Sequence, residues 1–164
     1  SDAGVVTMHM LGDSPATMQA DPRYGDVVAE VGQFLLESRA ALMAAGVAPE
    51  RICLDPGFGF GKTLAHNLAL YRGIPGWAQV APVLVGVSRK SMLGAITGQP
   101  VDRRLPASLA AALAGVQAGA TIVRVHDVPE TAQALAVWVA TGLPAMRAGS
   151  VHNAAGQTGH TAEE

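Results

Sequence analysis

Four short apolar runs recur along the chain, at residues 5–10, 51–55, 83–87 and 121–125. They are continuously apolar rather than alternating with polar residues, which is typical of parallel strands covered on both faces. After each run, apolar residues recur at three- and four-residue steps, as on one side of a helix. The sequence therefore predicts an α/β fold built from four parallel βα units.

The predicted helices span about residues 26–45, 64–72, 106–118 and 130–140. Gly46 and Gly119 stand where helices commonly end in the left-handed conformation. Between the second and third helices, beyond the third strand, residues 93–105 are expected to form a longer irregular loop.

The end of the chain differs in composition from the rest. Beyond Gly142, small and polar residues dominate and large apolar residues are almost absent. We expect one domain over residues 1–143 and a disordered tail over residues 144–164. His152 and His160 of that tail are therefore excluded from any site.

Composition restricts the function classes. A chain of 164 residues that is 49% hydrophobic can build one ordinary core but hardly two. A formal net charge of -2 and 15% charged residues argue against a nucleic-acid surface. The single cysteine, Cys53, lies in an apolar run and excludes a disulfide framework. No apolar stretch of about 18 residues and no signal-peptide order is present, so we expect a cytoplasmic protein without a membrane span.

Residues 54–63 form the most unusual stretch and read Leu-Asp-Pro-Gly-Phe-Gly-Phe-Gly-Lys-Thr. A strand ends on an acid, Asp55, and a Pro-Gly corner leads into two aromatic residues set between glycines. A Walker loop needs a glycine where this chain has Pro56, and the dinucleotide fingerprint needs two spacers before Gly61 where the chain has one. A plain strand-to-helix turn is the alternative, although it needs neither the acid nor the aromatic residues.

Polar residues gather directly after each predicted strand. His9 follows the first, Asp55 the second, residues 88–91 the third and residues 124–127 the fourth. The carboxyl ends of parallel strands carry the active sites of (β/α)8 barrels and of open doubly wound sheets. Four units amount to half a barrel, because a complete barrel needs about 250 residues. The chain starts without Met at the edge of a strand, which suggests a cut rather than a natural start.

Four of these motifs, in order, resemble the dihydropteroate synthase family. The matching segments are Met8-His9-Met10-Leu11-Gly12 with Pro15, Thr17, Met18 and Gln19, then residues 54–62 with His66 and Asn67, then residues 85–91, and finally residues 123–128. They resemble the family's fifth to eighth strands and the loops that follow them.

The resemblance implies half of a (β/α)8 TIM barrel, closed by a missing half, by a second copy or by rearrangement. It implies an enzyme that joins 6-hydroxymethyl-7,8-dihydropterin pyrophosphate to p-aminobenzoate and releases pyrophosphate, and that is the target of sulfonamides. It further implies a homodimer and a Mg²⁺ cofactor. The asparagine that helps to hold Mg²⁺ lies in the family's first loop, so we expect no metal ligand in this half.

Two residues are expected to bind the pterin. A buried carboxylate can accept paired hydrogen bonds from the guanidine-like edge of a pterin, which suits Asp55. Lys90, by resemblance, donates to the pterin carbonyl or ring nitrogen. The alternative is a structural ion pair between Asp55 and Lys90 across the strand ends.

The remaining predicted site residues follow the third and fourth strands. Arg124 and His126 are two apart on a strand, so they share a face and form an anion pocket, which in the family holds the leaving pyrophosphate. A satisfied core histidine is the alternative for His126. The resemblance also assigns substrate contacts to Met8, Phe60, Gly86, Ser88 and Ser91, of which Phe60, Ser91 and again Lys90 would meet p-aminobenzoate.

Several readings remain beside these. Met8 is equally compatible with the core, Phe58 with packing of the loop, and His9 and His66 with structural roles. Two other functions remain open: the pterin-binding domain of a corrinoid methyltransferase, against which Ser88-Arg89-Lys90-Ser91 speaks, and a catalytically inactive half barrel that dimerises.

Overall fold

The computed structural model describes residues 3–12 and 21–142. The strands in these residues are β1 (Val5–Met8), β2 (Ile52–Asp55), β3 (Leu84–Val85) and β4 (Ile122–Val123). The α-helices are α1 (Val27–Ala44), α2 (Leu64–Trp77), α3 (Ser91–Thr97), α4 (Leu105–Ala118) and α5 (Val128–Ala140), with short 3₁₀ helices at Pro49–Arg51 and Val101–Arg103.

The strands run parallel in chain order. β1 pairs with β2 from Val5 opposite Ile52 to Met8 opposite Asp55, and β3 pairs in parallel with β4. A parallel bridge between Leu54 and Val83 joins the two pairs. The predicted set of four parallel βα units is therefore confirmed, and the carboxyl ends of all four strands meet at one edge.

Alternation along the strands separates a packed face from the face that carries the candidate site. The core that the strands share with α1, α2 and the start of α3 is lined by Val31, Leu35, Leu54, Phe58, Leu70, Ile74, Val83, Val85 and Met92. Because successive side chains point to opposite faces, Asp55 and Gly86 lie on the other side of the sheet from Leu54 and Val85.

Local capping explains where two helices begin. The Asp26 side chain accepts from the backbone of Val28 and Ala29 at the start of α1. Thr63 and His66 form a reciprocal capping box at the start of α2. This gives the His66 side chain a structural partner, in keeping with the role expected for it.

Two element predictions are wrong. Residues 93–105 do not form an irregular loop, because they contain the end of α3 and the 3₁₀ helix Val101–Arg103. Met92 and Leu93 are buried one after the other, and Gly98, at φ 70°, ends α3 in the left-handed conformation. α2 also continues past residue 72 to Trp77 with Pro75 inside it, since burial of Ile74 and Trp77 outweighs poor helix propensity.

Several predictions fall on residues outside the described part of the chain. These are the matches at Pro15, Thr17, Met18 and Gln19, the tail at residues 144–164, and His152 and His160 within it. Among the helices that are described, none is both long enough and apolar enough to cross a bilayer.

Candidate active site

Asp55 is the most deeply buried charged group at the carboxyl edge of the sheet. It ends β2 and is 1% exposed. Its Oδ1 accepts from the backbone N–H of Gly57 at 2.8 Å, and its Oδ2 accepts from Arg124 Nη2 at 2.8 Å. One backbone donor and one guanidinium thus fix the carboxylate, while its oxygens keep lone pairs for further donors.

Arg124 reaches Asp55 across the end of β3. Its backbone N–H donates to Val85 O at 2.9 Å, which continues the pairing of β3 and β4. Its guanidinium lies over Gly86, where an added Cβ would sit 2.8 Å from Nη2. Gly86 therefore provides the space that lets Arg124 reach Asp55, and about half of the arginine side chain stays exposed.

His126 is anchored by Ser88. The buried Ser88 Oγ lies 3.1 Å from His126 Nδ1 and accepts from the His126 backbone N–H at 3.3 Å. The contact with Ser88 therefore occupies Nδ1 of the imidazole rather than Nε2. The neighbouring Asp127 pairs with Arg89, whose hydrogen bond lowers the pKa of the aspartate and ties the loop after β3 to the start of α5.

Lys90 lies between the acid and an aromatic ring. Its Nζ donates to the carbonyl of Phe58 and lies 4.4 Å from the centroid of the Phe60 ring. Burial lowers the pKa of Lys90 to about 8, a shift that Asp55 opposes and Arg124 adds to. Among the described residues, Asp55 forms its ion pair with Arg124. The alternative of a structural ion pair between Asp55 and Lys90 is therefore wrong.

The turn at residues 57–61, hereafter the glycine turn, follows Asp55 directly. Gly57 has φ 67°, and a Cβ on it would lie 1.8 Å from the carbonyl oxygen of His9, so only glycine fits. Phe58 is fully buried and packs against Tyr71 at 4.9 Å between ring centroids, which agrees with the packing role expected for it. Phe60 is only partly buried, on the side of Lys90.

Two other predicted residues lie at the margins of this cluster. Met8 is the last residue of β1, stands opposite Asp55 in the sheet and is partly buried. Ser91 is exposed and begins α3 directly after Lys90. The structure thus brings the predicted site residues to one edge of the sheet, with Ser91 at its outer limit.

Sequence reasoning gave no role to Lys62, which the structure places directly behind the glycine turn. Its Nζ lies 3.0 Å from Gly57 O, 3.0 Å from Phe60 O and 3.0 Å from His9 Nδ1. The signal available in the sequence was that Lys62 and Lys90 are the chain's only two lysines.

The described residues do not fit a magnesium site. Nowhere in residues 3–12 and 21–142 do three His, Cys, Asp or Glu side chains gather closely enough to hold a metal ion. The buried carboxylate of the cluster, Asp55, already accepts hydrogen bonds from Arg124 and from the Gly57 backbone. No chemical step is therefore assigned to Mg²⁺ through these residues.

Known proteins share both this sequence and this arrangement. Residues 1–126 match the family described as pterin binding enzymes. The dihydropteroate synthase of Neisseria meningitidis serogroup B is 53% identical over 148 residues, which cover 87% of this chain and 52% of that protein.

Solved structures agree with the sequence match. Dihydropteroate synthase from Stenotrophomonas maltophilia, with imidazole bound in its active site, aligns with a TM-score of 0.81 at 49% identity, covering 85% of this chain and 53% of that one. The enzyme from Xanthomonas albilineans in complex with 7,8-dihydropteroate aligns with a TM-score of 0.76 at 44% identity, covering 86% and 52%. Similar structures also hold 4-aminobenzoic acid and a sulfonamide drug.

These relatives define how much of a fold the chain represents. The structural neighbours are TIM barrels, and the chain spans about half the length of the relatives it matches. Its four parallel βα units are therefore half of a TIM barrel, as the sequence predicted.

Proposed function

The chain belongs to the family of pterin binding enzymes, and on that premise we propose that it supplies the ends of β1 to β4 to the active site of a dihydropteroate synthase. The reaction joins 6-hydroxymethyl-7,8-dihydropterin pyrophosphate to p-aminobenzoate and gives 7,8-dihydropteroate and pyrophosphate. The identity of 53% to a synthase, together with a pterin family match over residues 1–126, supports this assignment.

Asp55 and Lys90 bind the pterin in this proposal. The Asp55 carboxylate accepts hydrogen bonds from the ring N–H and exocyclic amine, which costs little reorganisation because Gly57 already orients it. Lys90 exchanges its bond to the Phe58 carbonyl for one to the pterin carbonyl or ring nitrogen. Met8 forms the floor beneath the pterin.

Arg124 and His126 hold the leaving group. The amine nitrogen of p-aminobenzoate attacks the pterin methylene carbon, the carbon–oxygen bond to pyrophosphate breaks, and the amine loses a proton. Negative charge that develops on pyrophosphate meets the guanidinium of Arg124 and Nε2 of His126. Gly86 and Ser88 position these two side chains, through open space and a hydrogen bond respectively.

Phe60 and Ser91 complete the site for p-aminobenzoate. The Phe60 ring is carried on the glycine turn and already packs against the ammonium of Lys90. A flat aminobenzoate can lie against the same ring, with Ser91 at its carboxylate end. A sulfonamide, which is similar in shape, would take the same position.

The setting of the enzyme is part of the same proposal. We place it in the cytoplasm, as a homodimer, with Mg²⁺ bound by residues that this chain does not contribute. An apolar cavity of about 760 Å³ between α2, α3 and α4 supports the dimer, because its lining includes the exposed Leu68 and Ile96.

The observation that carries the proposal is the buried Asp55, fixed by Gly57 and Arg124 at the strand edge. In a complete synthase that contains this segment, Asp55→Asn should weaken pterin binding about ten- to a hundredfold, since a hydrogen bond to a charged group contributes roughly 1.5–3 kcal/mol. Isothermal titration with a pterin measures the affinity. Cys53→Ser, two residues earlier in the same strand, is the matched control and should bind as the unaltered enzyme does. Unchanged affinity in the asparagine variant would refute the role of Asp55.

A further inference from the structure

Both lysines of this 164-residue chain direct their ammonium groups at one short turn. The other nine basic side chains in the count of eleven are arginines. Lys90 donates to the carbonyl of Phe58 from the substrate side. Lys62 donates to the carbonyls of Gly57 and Phe60 from behind. Three of the carbonyls of the glycine turn are thus held by lysine ammonium groups.

Lys62 is buried and fully partnered. It is 4% exposed, and its three N–H donors face three acceptors, two carbonyls of the turn and Nδ1 of His9. An ammonium group of this kind is costly to bury unless each donor is satisfied. Burial lowers the pKa of Lys62 to about 8, and this lower pKa reflects the cost of burying the charge.

His9 is the acceptor that joins the turn to β1. For the Lys62 ammonium to donate to Nδ1, that nitrogen must carry no proton, so the ring is neutral with its proton on Nε2. The ring is held edge-on against Phe34 at 5.1 Å between centroids. The backbone of His9 also packs closely against the turn, because its carbonyl oxygen occupies the position that a Gly57 side chain would take.

Two backbone N–H groups of the glycine turn are also hydrogen-bonded. Phe60 N–H donates to Gly57 O at 3.1 Å, and Gly59 N–H donates to the side chain of Asn67 at 2.7 Å. Lys62 holds the carbonyls of both Gly57 and Phe60, and the Phe60 ring lies against Lys90 at the site.

We propose that Lys62, with neutral His9 as its third acceptor, is a positioning residue that holds the glycine turn in the shape that presents Phe60 to the substrate. It acts from behind the turn and does not contact the substrate. The consequence for the reaction rests on the synthase function proposed above, whereas the positioning itself is a property of this chain.

The first test measures the turn in the 164-residue chain. Lys62→Met keeps the length of the side chain and removes its donors. Hydrogen exchange of the Gly59 and Phe60 amides should accelerate about tenfold or more, with exchange in α1 and α4 unchanged. The exposed Arg103→Met is the matched control and should leave the turn as it is.

Two outcomes of this test would overturn the proposal. One is unchanged exchange at Gly59 and Phe60, and the other is an equal acceleration in every helix, which would mean a general loss of stability. If Lys62→Met does not fold, His9→Leu decides in its place, because it removes one acceptor of the same ammonium. It should loosen the same two amides by a smaller factor, and wild-type exchange there would count against the proposal.

The second test separates positioning from a merely structural role. In a complete synthase that contains this segment, Lys62→Met should raise KM for p-aminobenzoate about tenfold while kcat changes by less than about threefold. A smaller folded fraction would instead lower kcat at unchanged KM, and that result would contradict the proposal. If the unaltered complete enzyme made no dihydropteroate, the proposed function would fail, while the exchange experiment would still decide the role of Lys62.

Discussion

At the scale of single residues, the site depends on how one buried carboxylate is compensated. Asp55 is 1% exposed whereas the side chain of its partner Arg124 is 51% exposed. Gly57 supplies a second, backbone donor that stays in place if the arginine turns toward an anion. Asp55 can therefore keep its orientation if Arg124 turns toward the leaving group in the proposed reaction. An ion pair with both partners buried would not allow this.

His9 gives a prediction about pH. Burial and the nearby charge of Lys62 lower its pKa from 6.5 to about 4, while a backbone hydrogen bond and the charge of Glu30 in α1 act in the opposite direction. In the unfolded chain the imidazole takes up a proton near its ordinary pKa, so the unfolded state binds more protons between pH 4 and 6.5. The free energy of unfolding should therefore fall as the pH falls through that window. At pH 5 it should be about 2 kcal/mol lower than at pH 7.

Urea unfolding of the chain at pH 7 and pH 5 measures this loss. In His9→Asn the part of the pH dependence due to the imidazole should be missing, although the variant is less stable at pH 7. An identical decrease between pH 7 and pH 5 in both proteins would show that His9 is not the group responsible.

The gathering of polar residues at one edge of the sheet was predictable from the sequence, whereas the pairs that they form were not. Polar residues that follow parallel strands were expected to meet at one edge of the sheet, and Asp55, residues 88–91 and residues 124–127 do so. The Asp55–Arg124 pair spans three strands and depends on Gly86 lacking a side chain, which requires knowledge of register. Lys62 and His9 are 53 residues apart in the sequence, so no local pattern predicts their contact.

At the scale of elements, the contact between α1 and α2 is built around one indole ring. A Cβ on Gly32 would lie 2.8 Å from Trp77 Nε1, and one on Gly73 would lie 2.6 Å from the same ring and 2.8 Å from Val28. Trp77 itself is 6% exposed. The two glycines thus let the helices approach with the indole between them.

Gly73→Ala should therefore destabilise the protein although alanine is the better helix former. Overpacking of this kind costs roughly 1–3 kcal/mol, more than the gain of about 1 kcal/mol in helix propensity. The matched control is Gly76→Ala in the same helix, where an added Cβ meets no atom within 4 Å and stability should stay or rise. Thermal unfolding of both variants gives the comparison, and equal midpoints would disprove the packing argument.

Element prediction succeeded where one period dominated the pattern. The strands were found from continuous apolar runs, and α1 and α4 to within about one residue at each end. α3 was missed because Gly94 and Gly98 look like loop residues, whereas Gly94 is needed to admit the Arg104 side chain, whose guanidinium lies 2.3 Å from the position of an added Cβ. Tertiary contacts of this kind are invisible to periodicity.

At the scale of the whole molecule, the apolar cavity between α2, α3 and α4 bears on the proposed homodimer. Ile96, on α3, lines it and is 53% exposed. Ile96→Asp should shift the chain toward monomer in sedimentation velocity, since a buried unpaired carboxylate is costly at an interface. Val80→Asp, at a site 43% exposed and outside the cavity lining, is the control. If both variants sedimented like the unaltered chain, the cavity would not be the dimer interface.

The extent of the chain sets the last expectation, because it spans only about half of the dihydropteroate synthases that it resembles most. The described residues include Asp55, Lys90, Arg124 and His126, to which we assign the pterin and pyrophosphate contacts, and they contain no cluster of three metal-binding side chains. In the proposed reaction, Arg124 and His126 alone would neutralise less of the charge that develops on pyrophosphate than they would together with a metal ion. We therefore expect the 164-residue chain by itself to have negligible synthase activity, while a complete enzyme containing it is active.

A coupled assay that follows pyrophosphate release, run on both proteins at equal concentration, measures the difference. A turnover of the chain alone within tenfold of the roughly 10 per second typical of enzymes would contradict this expectation. It would require a full catalytic centre to assemble from these residues or from two copies of them.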